Sequence, residues 1–455
     1  MGLGHINELL RLPWFTRLWA LQEAVLAKEA IFVYGEHTIK YKTLYSYYRA
    51  LSALTSENDH IERLYYEINR VMVPYMMASQ AIKFNEVRMF CFSITRLLKT
   101  SEPKDGVFAL QGLLQTLGMS VPDPDYTRPY STVYRETFRV VLEAGRDNGT
   151  LKELSFCNMK KPTPGFPSWV PDPTSPRFLN KTAYYMPMKF PVLEKPNLHF
   201  SQDGLRLHCQ GLRVSIVRTC SSTSLVDTWS GNNLHEIKGE EYVQALKGGD
   251  SHLAQLSGRL WNVYVFGALI TYAIQDCPAV GEEAFKAIYY CLKQGMPIGG
   301  DRLAKEYAAF KRWAQILTSS DNDEAPQEMG TSPFDSMYDD RIVGSRQNPA
   351  YLALRKTEEF RLLNKIGLEN DVTLWHELVE DITHEGTFFV TETGKLGYGS
   401  FPIQAGDVVV HLCGGQTPFI LRSLDGRYKI VSSAHIHDYE EDIVSADNLE
   451  EFTIV

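Results

Sequence analysis

The last quarter of the sequence restricts the fold more than any other part. Short runs of β-branched and aromatic residues recur there at intervals of about ten residues, and glycines separate them. The runs are 388–390, 408–410, 418–421 and 428–431. Asp425-Gly426, between the last two, is a strong turn pair. Short strands with this spacing predict a small barrel or a curled sheet.

Most of the chain before this region has the periodicity of helices. Apolar residues recur at helical spacing across much of 43–98 and again over roughly 238–316. Asp203-Gly204 lies between two short alternating runs, which predicts a hairpin near 196–217. The predicted fold class is therefore α+β: a mainly helical body with an inserted β-hairpin region, and a C-terminal small β-barrel-like domain.

Length and charge exclude several classes of function. A chain of 455 residues corresponds to about three domains. Its formal net charge of −9 gives no general attraction to phosphate backbones, so we predict no nucleic-acid partner. The most apolar run, 261–274, is too short to span a bilayer and predicts a buried helix. No membrane association is expected.

Cysteine usage and the N-terminus indicate a reducing compartment. The seven cysteines are irregularly spaced and form no CxxC pair, so neither a disulfide framework nor a zinc ribbon is predicted. The first residues lack the basic and apolar segments of a signal peptide. We therefore predict a cytoplasmic protein.

Cofactor motifs are missing from the sequence, but one helical segment has metal-ligand spacing. Neither GxGxxG nor GxxxxGK[ST] occurs, so no cofactor is predicted. His376, Glu380 and His384 fall at i, i+4 and i+8, where a continuous helix would place them on one face. The segment is not HExxH, and a solvated acidic helix is the alternative. We predict no metal and retain His376 as a candidate catalytic residue.

Histidines in the C-terminal strands are further candidates for acid–base chemistry. His411 and Cys413 share a strand face, and a histidine can activate a thiol nucleophile. His435 and His437 share the face of another strand, and Asp438 beside them could orient an imidazole. Packing roles in the sheet are the alternative. Helices packed on these strands could bring four residues together: His376, His384, His411 and His435.

Four segments, taken in order, resemble fungal heterokaryon-incompatibility (HET) proteins. Pro13 to Glu23, PWFTRLWALQE, resembles the last motif of the HET domain, R-x-W-x-x-Q-E. Three further segments resemble the long C-terminal regions of the same proteins: Pro103 to Leu114, Pro167 to Asp172, and Phe388 to Arg422. The earlier HET motifs, a Tyr-Trp-Gly type strand and an acidic strand, are absent. The resemblance implies a HET-related chain that lacks most of the N-terminal HET domain.

The patterns and the resemblance together predict four parts of the chain. These are a residual C-terminal part of a HET domain (1–45), a mainly helical body with the hairpin (46–317), a mobile loop (318–346), and helices followed by the β-barrel-like domain (347–455). The loop is predicted to be mobile because it is rich in Ser, Asp, Glu, Pro and Gly, and its apolar residues do not recur at helix or strand spacing.

The resemblance also suggests one catalytic candidate, Glu23. The HET domain is thought to be distantly similar to TIR domains, some of which cleave NAD with a glutamate four residues after a tryptophan. Trp19 and Glu23 have this spacing and fall on one helix face. A carboxylate there could stabilise the oxocarbenium character that develops when a bond to ribose breaks. A local structural role for Glu23 is the alternative.

Two classes of function remain open, one without catalysis and one with it. The resemblance implies a non-catalytic protein of fungal self/non-self recognition or cell-death signalling, acting through protein contacts. The alternative is an enzyme that uses the HET-type C-terminal scaffold on a small molecule, in a metabolic tailoring step, or a vestigial NAD-cleaving TIR-like domain. The partner is accordingly a protein or a small molecule. A pocket between helices and barrel, lined by aromatic and histidine residues, would favour an enzyme.

Overall fold

The computed structural model describes most of the chain. The described residues are 12–54, 72, 75, 98–157, 165–172, 194–221, 251–293, 301–318, 357–382, 386–400, 402–439 and 448–455. Residues 319–346, nearly all of the predicted mobile loop, lie outside them, so that prediction and the domain boundaries remain predictions.

The helices fall into two groups along the chain. The first comprises α1 (Leu18–Val25), α2 (Tyr41–Leu54), α3 (Asp105–Phe108), α4 (Gln111–Thr116) and α5 (Tyr130–Asp147). The second comprises α6 (Ser251–Asp276), α7 (Glu282–Lys293), α8 (Asp301–Thr318), α9 (Glu358–Gly367) and α10 (Asn370–Ile382). Short 3-10 turns span Pro13–Thr16 and Lys152–Phe156. Among the described residues, no helix combines the length and the apolarity that a membrane crossing requires.

The strands form one hairpin and one larger sheet. The hairpin consists of β1 (Ile31–Tyr34) and β2 (His37–Lys40). The larger sheet contains β3 (Leu198–Phe200), β4 (Leu207–Cys220), β5 (Gly386–Thr391), β6 (Leu396–Ser400), β7 (Val408–Leu412), β8 (Phe419–Leu424), β9 (Arg427–Ile436) and β10 (Glu450–Ile454). The predicted α+β class is confirmed.

Strand β4 closes the C-terminal sheet. Strands β5, β6, β9, β8 and β7 are hydrogen-bonded in that order, and β4 pairs with β5 on one side and β7 on the other. Strand β4 can pair with both β5 and β7 because it is 14 residues long and bends at an irregularity between Arg213 and Ser215. Similar irregularities interrupt other ladders, so the sheet is barrel-like without being a regular barrel. The hairpin predicted near 196–217 is present, and its long strand belongs to this sheet.

Both faces of the sheet are covered by apolar side chains. Inside the circuit of strands lies one cluster: Val217, Phe389, Ile403, Val409, Ile420, Val431, Ala434, Ile436 and Tyr439. On the outside, Phe388 and Tyr398 pack with α6–α10, whereas Val408 and Val410 join the cluster of α1–α5. Burial on both faces explains why 408–410 is an unbroken apolar run and does not alternate with polar residues.

The HET-like helix α1 is built into the first helical group. Leu18 and Leu21 are fully buried in one cluster with residues of α3 and α4. Gly112 on α4 permits this packing, because a Cβ there would lie 2.8 Å from Leu26 Cδ1 and 3.1 Å from Gln22 Oε1. Helix α1, which carries the R-x-W-x-x-Q-E motif, therefore packs closely against Gly112 of the segment Pro103 to Leu114.

The segment Pro167 to Asp172 joins the first helical group to the sheet. Trp169 is fully buried and donates from Nε1 to the Leu205 carbonyl at 3.3 Å. Its ring stacks on Phe138 of α5 and packs at a tilt against Phe200 of β3. Ser168 Oγ accepts from the backbone N–H of Ile430 at 3.0 Å. The segment thus contacts helix α5 and strands β3 and β9 at once.

An ion pair fixes the loop before β7. Arg422 on β8 donates from Nε to Asp407 Oδ1 at 2.8 Å and from one terminal nitrogen to Oδ2 at 2.9 Å. The same guanidinium donates to the Pro402 carbonyl at 2.6 Å, and Asp407 Oδ2 also accepts from the Gln404 N–H at 2.9 Å. Asp407 is only 1% exposed. Two of the four charged residues in the HET-like segment from Phe388 to Arg422, Asp407 and Arg422, therefore serve one structural contact.

Candidate functional site

Glu23 lies on the solvent side of α1. Leu18 and Leu21 bury the opposite side of this helix, and Trp19 is half-buried against the same cluster. Glu23 itself is exposed. Its charge adds to burial in raising the pKa of Tyr75, whose hydroxyl donates to the Phe15 carbonyl at 3.3 Å. Trp19 and Glu23 lie on one helix, as predicted. Within the part of the chain that the structure describes, the Glu23 carboxylate is exposed to water.

His376 is a buried contact between helices. Trp313 Nε1 on α8 donates to His376 Nδ1 on α10 at 3.0 Å. Because an indole N–H can only donate, His376 Nδ1 carries a lone pair in this contact. The edge of the ring also packs against Phe266 of α6, with centroids 5.9 Å apart. His376 thus holds three helices together, whereas His384 lies outside the described residues.

His411 lies inside the circuit of strands. Its Nδ1 and Tyr439 Oη are hydrogen-bonded at 3.0 Å, and the two rings stack with an interplanar angle of 11°. Burial lowers the pKa of His411 to about 4 and raises the pKa of Cys413 to about 11. Burial therefore favours the neutral form of both groups, which opposes the thiolate–imidazolium pair of a cysteine nucleophile.

His435 faces the other side of the sheet. It is the register partner of Tyr398 on β6, and directly opposed side chains share a sheet face. Tyr398 belongs to the cluster of α6–α10, so His435 points toward those helices. Burial, with a smaller effect of His437, lowers the pKa of His435 to about 4. His437 is half-buried and stacks on Tyr290 of α7 with centroids 5.6 Å apart.

The candidate histidines occupy three different environments. His376 contacts helices, His411 is inside the strands, and His435 is outside them on the helix-facing side. The hydrogen bonds and ring contacts described above join none of the three to another. Among the residues that the structure describes, no group of three or more His, Cys, Asp or Glu side chains is placed to hold a metal ion.

Sequence reasoning missed a pair of stacked histidines, His199 and His208. They are directly opposed on β3 and β4, and their rings are 4.5 Å apart and nearly parallel. A signal for this pairing was available, because both residues lie four positions from the Asp203-Gly204 turn, on opposite sides. A two-residue turn at that point fixes the two histidines as cross-strand partners.

Comparison with known proteins gives one relative of interest. The chain is similar to a protein of the heterokaryon-incompatibility class, at 23% identity over 456 residues. That relative is heterokaryon incompatibility protein 6, OR allele, of Neurospora crassa. The similarity covers 91% of this chain and 61% of the relative, so the chain spans less than two thirds of the relative's length. No family model and no solved structure matches the chain.

Proposed function

We propose that the chain is a HET-related protein of fungal self/non-self recognition or cell-death signalling that acts through protein contacts, without catalysis. The observation that carries the proposal is the similarity to heterokaryon incompatibility protein 6 across 91% of the chain. The segments that resemble HET proteins supply structural contacts of the fold: those of α1 with α4, of Trp169, and of Asp407 with Arg422. The proposed location is the cytoplasm, with neither nucleic acid nor a membrane as partner.

The positions of the catalytic candidates support a function without catalysis. A carboxylate in water lacks both substrate positioning and the low-dielectric surroundings that strengthen electrostatic stabilisation. Glu23 is exposed in this way. His411 and His435 are buried with pKa values of about 4, so at neutral pH they are uncharged and are not near the pKa that suits a general base.

The β1–β2 hairpin offers a surface for protein contacts. Phe32 points inward and packs against Trp14 and Phe15, with ring centroids 5.2 and 5.0 Å away. Its neighbours Ile31 and Val33 point outward and are 51% and 68% exposed. Exposed apolar side chains on a supported strand favour contact with another protein. We name the outward side chains Ile31 and Val33 the hairpin face.

If the protein contacts its partner through the hairpin face, a charged side chain at that face should strongly reduce the incompatibility response. The variant Val33→Asp places a carboxylate in the contact and is expected to reduce the incompatibility response at least tenfold, because burying an unpaired charge is costly. The matched control is Val280→Asp, since Val280 is 87% exposed and lies between α6 and α7. The response is measured as the viability of heterokaryons formed by fungal strains that express each variant.

The same assay separates contact from catalysis. Glu23→Gln removes the carboxylate at nearly constant volume, and we expect it to keep the full response. Circular dichroism confirms that each variant is folded. Loss of response in Glu23→Gln with retention in Val33→Asp would replace the proposed function by an enzymatic one. Equal loss in Val33→Asp and Val280→Asp would remove the hairpin face from the proposal.

A further inference from the structure

Among the described residues, no strand lies beside the outer edge of β1. Strand β1 pairs only with β2, and the Tyr41 N–H donates to the Ala30 carbonyl at 2.9 Å just before the first strand pair. Hydrogen-bonded pairs alternate along an antiparallel ladder, so every second residue from Ala30 directs its backbone groups toward β2. The N–H and C=O groups of Ile31 and Val33 therefore point to the outer edge, away from β2.

The outer edge of β1 lacks the protection that the other edge of the hairpin has. Ile31 and Val33 are more than half exposed, and the strand contains neither a charged residue nor a proline. By the same alternation Lys40 lies at the outer edge of β2, and its Nζ is 2.6 Å from Glu29 Oε1. Charged side chains and prolines commonly prevent a strand edge from pairing with another chain. The edge of β1 is therefore the one open to a further strand.

The sequence of β1 is suited to pairing with a second copy of itself. In an antiparallel pair centred on Phe32, Ile31 of each copy opposes Val33 of the other copy, because a two-fold axis repeats every contact. Each of these opposed pairs exchanges both backbone hydrogen bonds, through the N–H and C=O groups that point to the outer edge. The side chains of Ile31 and Val33 are both β-branched and apolar, so they also pack across the two strands.

Opposite charges flank β1 at positions that match the same symmetry. Lys28 and Glu36 are exposed and are each four residues from Phe32, on opposite sides. Antiparallel pairing centred on Phe32 brings Lys28 of each copy beside Glu36 of the other copy. A parallel pairing in register would instead bring like charges together. The flanking charges therefore favour the antiparallel arrangement that the backbone groups also permit.

We propose that two copies of this chain associate by antiparallel pairing of their β1 strands, which joins their hairpins into one continuous sheet. The proposal rests on the proposed function in that it uses the hairpin face, and it names a second copy of the chain as the partner. A two-stranded hairpin gains stability from further strands. The contact is short, so association depends on concentration and is weak.

Sedimentation equilibrium of the full chain measures this association directly. We expect the mass to rise from one chain toward two between about 1 and 100 µM. Val33→Pro removes an N–H that faces the outer edge, and it should weaken the dimer about tenfold, because proline is tolerated at a strand edge but cannot donate. The matched control, Thr38→Pro, removes the corresponding N–H at the outer edge of β2 and should leave association unchanged.

Charge reversal tests both the register and the identity of the partner. Lys28→Glu alone and Glu36→Lys alone each place like charges at both ends of the contact. Each variant should dimerise about fivefold more weakly at low salt. The two variants complement each other, so an equimolar mixture should recover the association of the unmodified protein. Both substitutions lie outside the strands and leave the β1–β2 ladder intact.

Three results would overturn the dimer: a mass of one chain at every concentration, equal effects of Val33→Pro and Thr38→Pro, or a mixture that associates as weakly as its components. The heterokaryon assay with Val33→Asp is a separate measurement. A monomeric chain whose Val33→Asp variant loses the response would overturn self-pairing and leave the hairpin face to a different protein. A dimer that Val33→Pro weakens, with the full response in Val33→Asp, would support self-pairing and overturn the role of the hairpin face in the proposed function.

Discussion

Replacing Asp407 by asparagine is expected to lower the free energy of unfolding by about 3 kcal/mol. Asp407 is 1% exposed and forms two hydrogen bonds with the Arg422 guanidinium, at 2.8 and 2.9 Å. Asparagine retains the side-chain volume but removes the charge, which leaves the guanidinium opposite a neutral amide. The value lies at the low end for a broken buried pair, because the Arg422 side chain is 23% exposed.

Urea unfolding followed by tryptophan fluorescence measures this effect. The matched control is Asp425→Asn, which makes the same change at an exposed residue of the β8–β9 turn. Asparagine tolerates the positive φ of 49° at this position, so the control should stay within about 0.5 kcal/mol of the unmodified protein. Equal losses in both variants would show that the Asp407–Arg422 pair does not stabilise the sheet.

Replacing Trp169 by alanine is expected to cost about 3–5 kcal/mol. The side chain is fully buried between α5 and β3, and its removal also leaves the Leu205 carbonyl without its indole donor. Trp19→Ala is the matched comparison, because the same atoms are removed from a half-buried position on α1. It should cost clearly less.

The comparison of the two tryptophans is made in the same urea experiment. A larger loss for Trp19→Ala than for Trp169→Ala would mean that α1 contributes more to the core than the segment Pro167 to Asp172. That outcome would contradict the role of Trp169 in joining the first helical group to the sheet.

Local sequence patterns predicted the strands and the hairpin because turn chemistry is local. Asp203-Gly204 and Asp425-Gly426 each mark a turn between paired strands. The closure of the sheet by β4 could not be predicted, because it depends on pairing between residues far apart in sequence, such as Val217 with Thr391. No periodicity within a short window contains that information.

The environments of the candidate residues were harder to predict than the elements that carry them. One added residue in a strand moves every following side chain to the other face. The irregularity in the β8–β9 ladder lies between Ile420 and Leu421, so spacing alone could not place His411 inside and His435 outside. By contrast, the pairing of His199 with His208 follows from counting residues on either side of one turn.

We propose that the helix of Trp19 and Glu23 packs into the core as a structural element and does not border an active site. Nicotinamide release from NAD by the purified chain tests this proposal, with Glu23→Gln measured alongside. The exposed position of Glu23 predicts no release above the rate without protein for either form. Release by the unmodified chain that disappears in Glu23→Gln would contradict the claim and assign this helix to an active site.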